Sequence, residues 1–126
     1  MVYVDGYVLP VARKNMRVYK QMAQKAGRVW RKHGALEYWE CVGDDLKTVM
    51  GMVPFPRLAK LKRNEAVVFS WILFKSKADR NRVNAKVMKD PIMNDPKYKD
   101  KPMPFEIKRM AYGGFSPIVK LKARGV

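Results

Sequence analysis

The sequence predicts an α+β domain, in which four antiparallel strands form one sheet and two helices cover one of its faces. Strand-like and helix-like patterns alternate along the chain as strand, helix, strand, strand, helix, strand. The run at 65–74 is nearly all apolar, which is typical of a central strand buried on both faces. This order of elements is the split β-α-β arrangement of ferredoxin-like domains.

The first strand is predicted at 2–8, where β-branched and aromatic residues dominate and Pro10 is expected to end the run. The clearest helical pattern follows at 12–33, with Gly34 as its C-terminal cap. At about 100° per residue, its apolar residues share one face, which must cover the sheet. They are Met16, Tyr19, Met22, Ala23, Ala26, Val29, Trp30 and His33.

The opposite face of this helix is strongly basic. No acidic residue occurs in the helix, and we expect its cations to point outward. They are Arg13, Lys14, Arg17, Lys20, Lys25, Arg28, Arg31 and Lys32.

A second strand is predicted at 35–43. Side chains alternate along a strand, so one side carries Glu37, Trp39 and Cys41. The other side carries Leu36, Tyr38, Glu40 and Val42. Both sides mix large apolar groups with a carboxylate, so we expect both to be at least partly covered. Residues 44–64 predict a long loop, or a short strand and a turn, and a loop of this length is usually functional or packs on a partner.

The second half of the chain supplies the remaining elements. The capping-box spacing of Ser76 and Asp79 predicts a helix that continues to about Lys89. Residues 91–104, with four prolines, predict a surface connection, and 105–112 predict the last strand, with Gly113-Gly114 as a bulge or bend. We expect one domain at 1–118 and a basic tail at 119–126.

Composition limits the classes of function. The 126-residue chain suits a single domain, and its apolar runs are too short for a membrane span. Its first residues show no export signal and its single cysteine allows no intrachain disulfide, so we expect a cytoplasmic protein. One cysteine and one histidine predict no structural metal site, and no motif predicts a cofactor.

Two helices on one face of the sheet leave the other face bare. That face would hold large groups such as Trp39 or Trp71, and an exposed apolar patch of this kind usually contacts another protein surface. A second copy of the sheet is the expected cover, so the sequence predicts a homodimer.

Several segments resemble an uncharacterised bacterial family, the YbaA-like domain of unknown function 1428. They are YVDGY at 3–7, GAL at 34–36, EC at 40–41, FPR at 55–57, VVFSWI at 67–72, MKDP at 88–91 and MPFEIKRMAYGGF at 103–115. The resemblance implies a dimeric α/β barrel in which two ferredoxin-like sheets pack face to face, and it brings no established activity. Where the family usually reads Asp-Gly in the last segment, this chain has Glu106 and Ile107.

Ionisable groups inside predicted strands are the candidates for chemistry. Asp5, Glu40, Glu106 and Arg109 would be catalytic candidates for proton transfer if two or three converged in the barrel. Glu37 belongs to the same class of strand carboxylates. The alternative is that these groups form structural ion pairs or face solvent.

Aromatic residues could line a ligand pocket inside the dimeric barrel. Trp39, Trp71 and Tyr112 are the candidates, with Phe115 beside them, and the alternative is that they pack in the core and the interface. His33 and Cys41 are expected to be structural.

The net charge of +16 leaves two further functions open. Arg13, Arg17, Lys20, Arg28 and Arg31 could contact RNA or another polyanion, and we expect such binding to be non-specific and limited to low salt. The other possibility is a structural or stress-related dimer without chemistry. A small-molecule pocket in the dimer, with the reaction unknown, is the first of the three hypotheses.

Overall fold

A computed structural model describes residues 1–96 and 101–125. Four strands, three α-helices and two short 3-10 helices follow one another within these residues. In chain order they are β1 (Tyr3–Ala12), a 3-10 turn (Arg13–Asn15), α1 (Met16–Lys32), β2 (Glu37–Val42), α2 (Phe55–Leu58), β3 (Glu65–Phe74), α3 (Lys77–Met88), a 3-10 turn (Ile107–Arg109) and β4 (Ala111–Phe115).

The strands form one antiparallel sheet in the order β2-β3-β1-β4. This confirms the ferredoxin-like α+β fold. The buried side chains lie between the sheet and the two long helices, in two clusters. One joins Val29 of α1 and Val83 of α3 to Phe74, and the other joins Tyr19 of α1 to Leu9. The predicted cap of α3 is present, since the backbone N–H of Asp79 donates to Ser76 Oγ at 3.0 Å.

β1 extends beyond its predicted end. Pro10 lies inside the strand and pairs with Val67, whereas the sequence predicted that it would end the strand. β4 pairs with β1 only at Val4–Val8, so β1 has a neighbour on one side alone at position 10. A missing backbone N–H is tolerated there, as it is at sheet edges.

The last strand also differs from the prediction of 105–112. Ile107–Arg109 form a 3-10 turn, and the strand begins at Ala111, so that Gly113 and Gly114 lie within it opposite β1. A Cβ on Gly114 would collide with the Tyr3 hydroxyl and the Arg80 guanidinium. The glycine therefore makes room for the hydrogen bond from Arg80 of α3 to the Tyr3 hydroxyl of β1.

The face of the sheet away from α1 and α3 is largely apolar, and the described residues cover it only in part. Trp39 and Trp71 stack there with ring centroids 5.5 Å apart, and Phe69 leans on Trp71. Phe55 of the short helix α2 meets the edge of Phe69, which remains 44% exposed. We call these four aromatic residues the bare-face cluster.

The connections carry less structure. Residues 44–64 form a loop apart from α2, as predicted, and the connection predicted at 91–104 includes residues 97–100, which lie outside the described part. Residues 116–125 contain no helix or strand. No described helix is both long and apolar enough to cross a bilayer.

Candidate functional site

A cleft of about 700 Å³ opens between α1 and the edge strand β2. Its walls are largely apolar, with Met16 and Ala23 from α1 and Val42 and Val68 from the sheet. A cleft of this volume is in the range of small-molecule sites. It lies on the helix side of the sheet, away from the bare-face cluster.

Glu40 forms the polar floor of this cleft. The hydroxyl of Tyr19 donates to Glu40 Oε1 and the hydroxyl of Tyr38 to Glu40 Oε2, each at 2.7 Å. Tyr38 and Glu40 share a face because they are two residues apart on β2, and Tyr19 reaches them from α1. Each carboxylate oxygen thus accepts one bond from a phenol and keeps a lone pair for an occupant of the cleft.

The two phenols remain donors at neutral pH. Burial raises the pKa of Tyr19 and the pKa of Tyr38 well above the usual value, and the charge and hydrogen bonds of Glu40 raise them further. Both hydroxyls therefore keep their protons, and any proton transfer at this floor would involve the carboxylate.

Gly27 sets the depth of the cleft. A Cβ at this position would lie 2.7 Å from Cδ1 and 2.9 Å from Cε1 of Tyr38. Real side chains do not approach so closely, so only glycine lets the Tyr38 ring lie against α1. The ring in this position can reach Glu40.

A smaller cavity of about 50 Å³ lies behind the floor. Glu40, Tyr19 and Tyr38 line it together with Tyr7 and Ser70. This volume is enough for one or a few water molecules, which the polar groups of its wall could bind. The floor therefore separates the open cleft from a small cavity whose walls are mostly apolar.

The rim of the cleft is positive. Lys20, Arg28 and Arg31 of α1 line it and are all exposed, and Arg31 Nη1 also donates to the carbonyl of Ala35 at 2.5 Å. These cations belong to the predicted polyanion surface. Arg13 and Arg17, the other two members, are exposed but do not line the cleft.

Asp5 lies elsewhere, fully buried between β1 and α3. Its Oδ2 accepts hydrogen bonds from Tyr112 at 3.2 Å and Asn84 at 3.3 Å, and its Oδ1 lies 3.5 Å from Nε of Arg80. Trp30 of α1 donates to Asn84 at 2.9 Å and so joins the network. A buried carboxylate paired with a guanidinium ties α3 to the sheet, which is the structural alternative for Asp5.

Arg109 and Glu106 lie apart from both sites. Arg109 forms two hydrogen bonds to Glu65 at 2.7 Å and one to the carbonyl of Lys60 at 2.9 Å. The hydrogen bonds from Arg109 lower the pKa of Glu65 to about 2. Glu106 is exposed just before the 3-10 turn. The structure thus does not bring the four catalytic candidates together, and of the four only Glu40 lines the cleft.

The three aromatic pocket candidates are also separated. Trp39 and Trp71 face away from the helices, whereas Tyr112 is opposite Tyr7 on the helix side, where it contacts Asp5. Tyr112 therefore shares no pocket with the two tryptophans.

Sequence reasoning named Glu40 but missed its two partners. Alternation had already placed Tyr38 beside Glu40, so one half of the floor could have been found. Tyr19 was assigned to the apolar face of α1 without a role for its hydroxyl. Arg80 and Asn84 are four residues apart on α3 and share a face, a signal that could have suggested a partner for Asp5.

Within residues 1–96 and 101–125, no group of three His, Cys, Asp or Glu side chains is placed to hold a metal ion. The cleft itself offers one carboxylate, two phenols and three cations. This donor set suits an organic ligand with a negative group.

Comparisons with known proteins agree on the family and the fold. The family model "Protein of unknown function (DUF1428)" matches residues 2–107. The uncharacterised protein YbaA of Escherichia coli K12 is 43% identical over 120 residues, which cover 94% of this chain and 98% of YbaA. The YbaA of Shigella flexneri gives the same figures.

Solved structures of low sequence identity share the fold. Rv0793 of Mycobacterium tuberculosis superposes with a TM-score of 0.57 at 10% identity, over 97% of this chain and 100% of that one. A dimeric ferredoxin-like protein from an uncultured marine organism gives 0.54 at 10% identity, over 97% and 98%. A nipsnap family protein of unknown function from Agrobacterium tumefaciens gives 0.52 at 16% identity, over 92% and 87%.

Proposed function

This chain belongs to the DUF1428 family of proteins of unknown function, and we propose that it is a homodimer that binds a small organic anion in the cleft between α1 and β2. One observation carries the proposal: a carboxylate floor lies beneath three exposed cations in a cleft with apolar walls. This combination favours a ligand with an acidic group at one end and a hydrogen-bond donor at the other.

Each part of the ligand has a counterpart in the cleft. Arg28 and Arg31 at the rim suit a carboxylate or a phosphate, which guanidinium groups bind with good geometry. The apolar walls suit a hydrocarbon body. Glu40 can accept a hydrogen bond, or a proton, from a group that reaches the floor.

The homodimer and its barrel are part of the proposal. The bare-face cluster supports them, since a contiguous aromatic patch is seldom left in water. A second sheet packed on it would form the dimeric α/β barrel, and one of the similar structures is described as dimeric. We place the protein in the cytoplasm, since its single cysteine needs no oxidising compartment. We also propose that residues 1–118 form a single domain.

A polyanion contact is the second candidate function, because the outward face of α1 is rich in exposed cations and carries no acidic residue. RNA would contact the whole face, including Arg13 and Arg17, whereas a small anion would need the cations that line the cleft. The two functions therefore predict different effects of removing individual cations. A structural dimer without chemistry predicts no ligand effect at all.

The experiment uses 4-hydroxybenzoate, indole-3-acetate and 8-hydroxyoctanoate as probe anions, with 4-hydroxybenzamide as the neutral control. Amide chemical shifts of α1 and β2 should move on titration with the anions and move much less with 4-hydroxybenzamide. The combined Arg28→Ala and Arg31→Ala variant should bind about tenfold more weakly, which corresponds to roughly 1.4 kcal/mol.

Arg17→Ala is the matched control, since it removes a cation from the same helix outside the cleft. It should change the affinity by less than about twofold, because exposed charges at a distance are screened. Equal losses in single variants Arg17→Ala and Arg28→Ala would mean general attraction to a basic protein and would refute the cleft. Absence of shifts in α1 and β2 with all three anions would also refute it.

A further inference from the structure

The chain continues past β4 as a segment of residues 116–125, which we call the C-terminal arm. The arm contains no helix or strand, and its apolar side chains lie in solvent: Ile118 is 97% exposed and Leu121 is 91% exposed. Val119 between them is exposed as well. An apolar segment of this kind usually has a binding surface. The described residues of its own chain leave these side chains uncovered.

The outer edge of β2 offers a matching surface. β2 is the end strand of the sheet, and among the described residues only β3 pairs with it. Its outward backbone groups are therefore free to receive another strand. Residues 37–42 extend for about 20 Å, a length that six residues of the arm can match.

The charges of the two segments are complementary. Glu37 at the start of β2 and Asp44 and Asp45 just after it are exposed carboxylates in a chain that has only 11 acidic residues. The arm carries exposed cations between and after its apolar residues: Lys120, Lys122 and Arg124. These three carboxylates attract the arm to the two ends of β2, while the cations Lys20, Arg28 and Arg31 line the neighbouring cleft on α1.

We propose that the C-terminal arm of one copy adds as a strand to the outer edge of β2 in a second copy. The inference rests on the proposed homodimer, and it adds a reciprocal contact to it. β4 and β2 are the two opposite edges of the sheet, so a two-fold axis parallel to the strands of the proposed barrel would bring β4 of one copy beside β2 of the other, and the contact would occur twice. Because β2 supplies Tyr38, Glu40 and Val42 to the cleft, the partner's arm lies beside the cleft and extends its outer wall.

The position of Cys41 on β2 gives a direct test, since it is the only cysteine in the chain. Single cysteines are introduced at five successive positions of the arm, and the full-length variants are treated with diamide and run on a non-reducing gel. The variants are Ile118→Cys, Val119→Cys, Lys120→Cys, Leu121→Cys and Lys122→Cys. Side chains of a paired strand alternate between faces, so the dimer-mass band should be strongest at the one position opposite Cys41, weak two residues away on the same face and absent at the positions between.

Two controls accompany the series. Each arm variant is repeated with Cys41→Ser, which should lose the band. Lys86→Cys places an exposed cysteine on α3, away from β2, and should give no band at the same oxidant concentration. The charge contact is tested separately: Asp44→Lys with Asp45→Lys should weaken cross-linking severalfold, and Lys120→Glu with Lys122→Glu should restore it.

Each other outcome overturns the proposal. Loss of free thiols without a doubling of mass would place the arm on its own chain. Equal bands at all five positions would show an arm without a register, and no bands would show that it binds elsewhere. Sedimentation of the unchanged chain separates the arm contact from the proposed homodimer. A dimer whose arm variants form no cross-links would refute the arm contact alone. A monomer would refute the homodimer as well.

Discussion

Replacing Gly27 by alanine should destabilise the protein, although alanine is the better helix former. An alanine in place of an exposed glycine inside a helix usually adds about 1 kcal/mol of stability. Here the new methyl group would lie 2.7 Å from the Tyr38 ring, and the ring cannot stay in place. Overpacking of this kind costs about 1–3 kcal/mol.

The displaced ring would also weaken its bond to the floor of the cleft. The Tyr38 hydroxyl donates to Glu40 Oε2 at 2.7 Å, and a hydrogen bond to a charged group contributes about 1.5–3 kcal/mol. With the helix gain subtracted, the free energy of unfolding should fall by about 1.5–5 kcal/mol. Urea denaturation followed by circular dichroism measures it.

A double-mutant cycle tests the physical reason for this loss. In a Tyr38→Ala background the ring is gone, so Gly27→Ala should raise the stability by about 0.5–1 kcal/mol, as for an unobstructed helix position. The sign of the effect should therefore reverse between the two backgrounds. If Gly27→Ala stabilised the unchanged chain as well, the close approach of Tyr38 to α1 would be wrong.

Three more predictions concern other parts of the structure. Tyr38→Phe removes one donor to the half-buried carboxylate of Glu40 and should lower the unfolding free energy by about 1.5–3 kcal/mol in the same urea assay, and an unchanged midpoint would contradict the bond. The hydrogen bond from His33 is the main cause that lowers the pKa of Asp90 to about 2, so this carboxylate stabilises the fold above about pH 4 and loses its effect as the pH falls towards 2. Asp90→Asn should therefore give a shallower acid decline in stability between pH 4 and pH 2, and an unaltered slope would refute it. Phe69→Lys on the bare face should convert a dimer into a folded monomer in sedimentation, whereas Val18→Lys, at an exposed position of α1, should leave it a dimer; the same result for both would remove the bare face as the interface.

The elements with a strong pattern could be predicted from the sequence. β3 was predicted at 65–74 and runs over Glu65–Phe74. The prediction succeeded because an almost wholly apolar strand in a small domain can be buried on both faces only at the centre of the sheet. The ends of β1 and β4 could not be predicted, since they depend on where a neighbour strand stops. Pro10 is acceptable only because β4 does not reach it.

The site was predictable in part for a related reason. Alternation along β2 set the side of the sheet on which Glu40 lies, but the contact with Tyr19 depends on how α1 packs over the strand, which local sequence does not specify. The same holds for Asp5, whose partner Arg80 is 75 residues away in the chain. The 43% identity to YbaA establishes the family of this chain. It assigns no ligand to the cleft, because YbaA is itself uncharacterised.

The stacked pair of Trp39 and Trp71 provides an optical signal for the bare face. Their rings lie 5.5 Å apart and only 10° from parallel, close enough for the transitions of the two indoles to couple and to give a near-ultraviolet circular dichroism band of their own. Trp30 hydrogen-bonds to Asn84 on the helix side and should contribute separately. Dilution across the dissociation range of the proposed homodimer should therefore shift the emission of the stacked pair to the red as water reaches it, and an unlabelled sample would report its own association.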